Sequence, residues 1–266
     1  MSQELSPAIQ AMLAKSNVST VQDMDTGSGG VPRISLKKSK FTAKIGDDET
    51  KLGDEINVVI LGIDPPNGFC KTYYESGYTP GSADAPDCQS DDGQRPSPFV
   101  ETPMSDSCRT CEKNQWGSAK SMSGGKAKAC KDSKRLHVKL AEDLQDSEAP
   151  IYIITVTVMS LKPFGAYGKL LAKEGIPTPS ICITKLGFND EASVPQLTFD
   201  LVGVMDDDNV SSALSIAEEK PWDSYKNVNA LPSAKREALQ APSDEDLTDN
   251  DKAVIDKDVA DLTNNW

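Results

Sequence analysis

One histidine, His137, occurs in a chain of 266 residues. That scarcity removes nuclease chemistry built on paired histidines. It also argues against catalytic zinc, which usually combines His, Asp or Glu ligands with an open position. His137 lies in RLHVKL, where Leu136, Val138 and Leu140 alternate inward, so it is expected as an exposed strand residue beside Lys139. The zinc-deaminase pattern is absent: Val138 and Lys139 follow His137, and Ser107 rather than proline precedes Cys108. A Walker loop is absent too, because in GGKAKAC its first glycine would fall on Lys120 and Lys126 is followed by Ala127. Acids are abundant but form no clustered nuclease motif, and the chain is read as a non-enzyme. No apolar run approaches the roughly 18 residues of a membrane helix. The N-terminus, MSQELSPAIQAMLAKS, shows no basic segment followed by an apolar one, so a cytoplasmic setting with reduced thiols is expected. Hydrophobic residues make up 37% and mean hydropathy is −0.45, low enough to predict long polar extensions around one core.

What the chain does have is concentrated between Phe69 and Arg135. Five of the six cysteines lie there (Cys70, Cys88, Cys108, Cys111 and Cys130), with Tyr73, Tyr74, Tyr78 and Trp116. From Arg109 to Lys139 there are nine Lys or Arg against Glu112 and Asp132, a net +7 in a protein whose formal charge is −13. Cys108-x-x-Cys111 lets two thiolates of one tight turn meet a tetrahedral ion. Cys130 and either Cys88 or Cys70 can complete four ligands; Cys88 is taken as the fourth and Cys70 as the alternative. The stretch holds few branched aliphatics and can hardly build its own core, so a structural Zn2+ is expected to staple it. Thiols, rings and lysines together suggest a surface for a polyanion with flat bases. Tyr73, Tyr74, Tyr78 and Trp116 are the candidate stacking rings, although Trp116 can equally pack over the metal site. Lys113, Lys120, Lys126, Lys128, Lys131, Lys134 and Arg135 are the candidate phosphate track. Cys182, alone in an apolar strand, reads as a small core residue.

The rest of the chain frames this stretch. Residues 1–30 form a flexible N-terminal segment with a short helix over Pro7–Lys15 and a GSGG linker. RISLKKSKFTAKI, from Arg33 to Ile45, suits a basic edge strand, a loop along a ligand groove or a solvated terminus. Strands are predicted at Glu55–Ile63, Arg135–Leu140, Ile151–Leu161, Ser180–Leu186 and Gln196–Met205, with short helices at Pro163–Ile176 and Ser211–Glu219. Five strands with a helix between the third and fourth predict a mainly β, OB-fold-like five-stranded barrel over residues 31–230. The cysteine-rich insertion, 68–134, falls between strands one and two, in a loop that OB-folds use on nucleic acid. Residues 231–266 read as a disordered acidic tail. From Ser243 onward it has eight acids against Lys252 and Lys257, a net −6, and ends on Trp266, which suits a docking peptide.

The series FCKTYY, GYTPGSADAPDC, DDG, C-x-x-C, NQWGS, GGKAKACKD and R-L resembles bacteriophage single-stranded DNA-binding proteins of the short-tailed phage type. It spans about Gly68 to Leu136, a quarter of the chain. The resemblance implies an OB-fold core in the host cytoplasm and sequence-independent coating of unwound DNA in replication and recombination, with self-association on DNA. It also implies recruitment of phage or host replication proteins through the acidic tail. It implies no ligand set for the metal. The rival reading is a zinc-containing transcription or interaction protein that binds duplex DNA or a polymerase.

Overall fold

A computed structural model describes residues 31–36, 39–46, 48–77, 85–121, 124–192 and 194–226. The helix expected at 7–15, Tyr78 and the acidic tail with Trp266 lie outside the described residues.

The described chain is mainly β. Its strands are β1 (Arg33–Leu36), β2 (Phe41–Ile45), β3 (Asp48–Gly53), β4 (Ile56–Asp64), β5 (Cys70–Tyr73) and β6 (Cys88–Ser90). Then come β7 (Ala119–Lys120), β8 (Lys126–Ala127), β9 (Lys131–Leu140), β10 (Tyr152–Thr157), β11 (Cys182–Phe188) and β12 (Leu197–Val204). The α-helices are α1 (Val158–Lys173) and α2 (Asp207–Glu219). A ten-stranded sheet curls into a half-barrel in the order β12-β11-β4-β9-β10-β1-β2-β3, with β5 added to β9 and β6 to β5. Neighbours are antiparallel except β1 and β10, which run parallel.

Alternation fills the inside of the curl. Val58, Ile60, Leu136, Val138, Ile154 and Val156 are buried there with Ile34, Phe41 and Ala43. The described residues of the basic segment Arg33–Ile45 thus form two strands, β1 and β2, which bury Ile34, Phe41 and Ala43. Its extension β3, DETKLG, escaped the sequence reading because its residues are nearly all polar and exposed.

The third predicted strand stops early, at Thr157, where α1 begins. Ser160, Phe164, Tyr167 and Leu171 already recur at spacings of four, three and four, and this helical stripe faces the core. Pro163 sits inside the helix and has no N–H for the carbonyl of Met159. The amide of Gln196 donates to that carbonyl instead, at 2.7 Å. At the far end Gly175 adopts φ 74°, and Ile176 N–H bonds to Leu171 O while Gly175 N–H bonds to Ala172 O, so the helix stops at the expected glycine.

A second, smaller core lies on the outer face. Val59, Leu61, Leu144, Ile151, Ala213 and Trp222 pack there beneath α2. The pairing of β4 with β9 slips between Ile60 and Gly62. This bulge gives β4 two successive outward positions, Leu61 and Gly62, and the Trp222 indole lies flat on the second. The same indole stacks on His137, with ring centroids 4.7 Å apart, and His137 Nε2 stands 3.0 Å from an Asp64 carboxylate oxygen. The expectation that His137 is exposed is therefore corrected: it is 2% exposed. Alternation placed it on the outer face correctly, but Trp222 covers that face.

A Cβ at Gly62 would come within 2.5 Å of the Trp222 ring. Gly62→Ala is expected to destabilise the fold by about 1–3 kcal/mol through overpacking. Gly165→Ala, in an exposed part of α1 with open space for the methyl, is expected to stabilise it by roughly 0.5–1 kcal/mol. Urea midpoints of the two variants should move in opposite directions; a Gly62→Ala midpoint at or above that of the parent protein contradicts the Trp222 contact.

Candidate functional site

The insertion between β4 and β9 is tied to the half-barrel by its own strand. β5 pairs with the first residues of β9, Cys70 opposite Ser133 and Thr72 opposite Lys131, so it prolongs the sheet beyond the end of β4. From there the backbone folds back on itself. Ser97 N–H donates to Gln89 O, Cys108 N–H to Gln94 O and Cys130 N–H to Lys113 O, at 2.8 to 2.9 Å. The Cys108–Cys111 turn is closed by the two amides that follow it. Asn114 donates to Cys108 O at 2.7 Å, and Gln115 to Arg109 O and Cys111 O at 3.0 and 3.1 Å.

These turns bring Cys88, Cys108, Cys111 and Cys130 to the wall of one cavity of about 20 Å³, together with Tyr73, Lys71 and Asn114. That volume is enough for one small ion or water. Cys70 does not line it; its thiol points to the carbonyls of Asp64 and Asp91. Of the two candidates for a fourth position beside Cys108, Cys111 and Cys130, the fold brings Cys88. Among the described residues, no group of three His, Cys, Asp or Glu side chains is arranged to hold an ion as it stands.

Burial pushes the Cys130 thiol up to about 11; Lys71 opposes this, and the thiols of Cys108, Cys111 and Cys88 add to it. Burial likewise raises Cys108, against a hydrogen bond from Ser90 and with Cys88 and Cys111 adding. Cys108 and Cys130 thus sense the thiols around them, and this buried pair stays protonated at neutral pH while no cation draws the protons off.

The rings and lysines of the insertion separate into two groups. Tyr73 is buried beside the thiol cavity with Lys113 Nζ 5.4 Å from its centroid, so this ring lies beneath the surface. Tyr74 is half-buried. Trp116, by contrast, is 72% exposed and does not cap the thiols. Lys128 binds Asp132 at 3.2 Å, Arg135 binds Asp91 at 2.7 Å, and Lys134 donates to Pro65 O. Lys131 is exposed but donates to Lys128 O at 2.7 Å, and Lys120 and Lys126 are exposed.

Lys120 and Lys126 are direct cross-strand partners on the β7–β8 hairpin, whose base is fixed by Gly117 N–H to Ala127 O at 2.9 Å, one residue after Trp116. Like charges placed opposite each other destabilise such a pair. The sequence reading missed Phe69, 37% exposed with Lys134 Nζ 5.8 Å from its centroid, and Phe99, 44% exposed. Their position beside buried thiol strands and prolines gave no periodic signal. It also missed Lys71, whose ammonium joins Asp132 and Asn114 beside the cavity.

No protein-family model, curated protein or solved structure matches the chain. Among the described residues no helix is long and apolar enough to cross a membrane.

The placement of the thiols predicts an order of reactivity. In chelator-treated full-length protein at mildly alkaline pH, iodoacetamide is expected to label half-buried Cys88 and Cys111 ahead of buried Cys70, Cys108, Cys130 and Cys182. Peptide mass spectrometry reads the order; first labelling at Cys130 contradicts this arrangement.

Proposed function

We propose that the chain is a sequence-independent single-stranded DNA-binding protein of phage replication and recombination. The carrying observation is the β7–β8 hairpin: a ring that is 72% exposed, followed by two lysines held directly opposite each other. A protein-only environment penalises both features. A polyanion with unstacked bases relieves both, because phosphates neutralise the lysine pair and a base covers the indole.

Connectivity supports the OB reading. The five strands expected from the sequence, β4, β9, β10, β11 and β12, lie in the order fifth, fourth, first, second, third, with α1 between the third and fourth and β1 to β3 added beside the third. An OB barrel opened between its third and fifth strands has this order, and its ligand surface includes the loop between strands one and two. The insertion occupies that loop. Phe69 joins Trp116 as a stacking candidate, and Lys120 and Lys126 are the outward part of the phosphate track.

Structural zinc fits the donor set. Cys88, Cys108, Cys111 and Cys130 are four soft ligands around one ion-sized cavity, with no carboxylate or imidazole on its wall. Zn2+ would supply the cross-link that a stretch poor in aliphatics lacks, and would keep the thiols ionised. The acidic tail, ending on Trp266, would recruit replication partners, and the setting would be the host cytoplasm.

Two measurements test this reading. Labelled oligo-dT should bind the full-length protein in a salt-sensitive way and far more tightly than duplex. Trp116→Ala should weaken binding by roughly 1–3 kcal/mol, a loss of about 5- to 150-fold. No binding at low salt with or without the tail, or a preference for duplex, overturns it in favour of a docking module. Metal analysis should find one zinc per chain, kept in Cys70→Ser and lost in Cys88→Ser; the reverse pattern overturns the ligand set.

A further inference from the structure

The outer face of the half-barrel continues from the insertion across β9, β10, β1, β2 and β3, and it differs from the rest of this acidic protein. The positions that alternate with the core are Ser133 and Arg135 on β9 and Thr155 and Thr157 on β10. They continue as Arg33 and Ser35 on β1, Thr42 and Lys44 on β2, and Glu49 and Lys51 on β3. Arg33, Thr155, Thr157 and Lys51 are exposed, Ser35 and Lys44 are half-buried, and Thr42 is buried between them. The one carboxylate in this set, Glu49, stands 3.7 Å from Lys44 Nζ.

Register fixes where the strip meets the insertion. β1 runs parallel to β10 from the pair Arg33–Ile153, and Thr157 of β10 lies opposite Ser133 of β9. The end of β1, and the turn that carries exposed Lys40, therefore lie at the same end of the barrel as β5 and the insertion. Arg135, bound to Asp91 of the insertion, marks the boundary.

We infer that this strip is a second wall of the binding surface, along which a single strand leaving the insertion continues. This rests on the single-strand reading above. Arg33, Lys40 and Lys51 neutralise phosphates, and the hydroxyls of Thr155 and Thr157 donate hydrogen bonds to them from the floor between. From β9 to β3 the strip crosses four strand spacings, about 19 Å. A strand that follows it must be longer than one held by the insertion alone. Charge complementarity selects the occupant: among its described outward positions the strip has cations and hydroxyls, and its one large apolar side chain, Ile153, is half-buried.

The test compares the parent protein with a full-length Arg33→Gln, Lys40→Gln, Lys51→Gln variant, all three being exposed positions outside the core. Oligo-dT of about 4 and about 16 nucleotides, the range of site sizes for such folds, is titrated at several salt concentrations. For the longer oligomer the triple variant should bind more weakly, with the magnitude of its log–log salt slope lower by about 2, roughly 0.7 for each lost phosphate contact. For the shorter oligomer the two proteins should bind alike. An unchanged slope with the longer oligomer overturns the second wall while leaving the insertion as the binding surface. An equal loss with both oligomers overturns it as a separate wall. No binding by the parent protein overturns the single-strand reading itself, and the second wall with it.

Discussion

Strand β9 serves two bodies at once. Residues 135–140 pair with β4 and 133–138 with β10, inside the barrel, while 131–133 pair with β5 of the insertion. The C-terminal part buries Leu136 and Val138 in a conventional apolar core. The N-terminal part enters a region where hydrophobic burial has little to work with and four thiols line one small cavity. The backbone ladder to β5 therefore transmits the rigidity of the barrel into the insertion. It fixes one side of the thiol cavity, and the Cys108–Cys111 turn with its two amide clasps closes the other. Everything offered at the surface of the insertion, from Trp116 to the paired lysines, depends on that junction holding its register.

The same junction explains how charge is distributed. The chain is strongly acidic, yet its cations cluster at the end of the barrel where β5 joins β9 and where the β1–β2 turn returns. Several are consumed internally, Arg135 by Asp91, Lys128 by Asp132 and Lys71 by Asp132, and these pairs orient the loops rather than the ligand. The opposite corner, around Gln145 and the start of α2, carries Asp206, Asp207 and Asp208.

Strands β4 and β10 were legible in the sequence as β-branched runs and β9 as the alternation of Leu136, Val138 and Leu140, and the stop of α1 was legible as Gly175. The limits of the reading are equally physical. Alternation gives the face of His137 but not what covers that face, and the cover, Trp222, comes 85 residues later in the chain. The tyrosines beside Cys70 looked equivalent, yet Tyr73 is drawn under the surface by the thiol cavity. Cys70 and Cys88 could not be separated by spacing, since the choice depends on how β5 and β6 pair. The onset of α1 at Val158 was hidden inside IYIITVTVMSL, where β-branched content outweighed a helical stripe that only emerges further on. Polar β3 is a strand solely because β2 offers it an edge.

The central claim is that bases meet the insertion and its neighbouring strip, and photo-crosslinking measures that most directly. Oligo-dT crosslinked to the full-length protein and mapped by peptide mass spectrometry should mark Phe69 and Trp116 first, then peptides of β10 and the β1–β2 turn. Crosslinks confined to α2 and the Gln145 loop, or none at saturating oligonucleotide, would contradict the account.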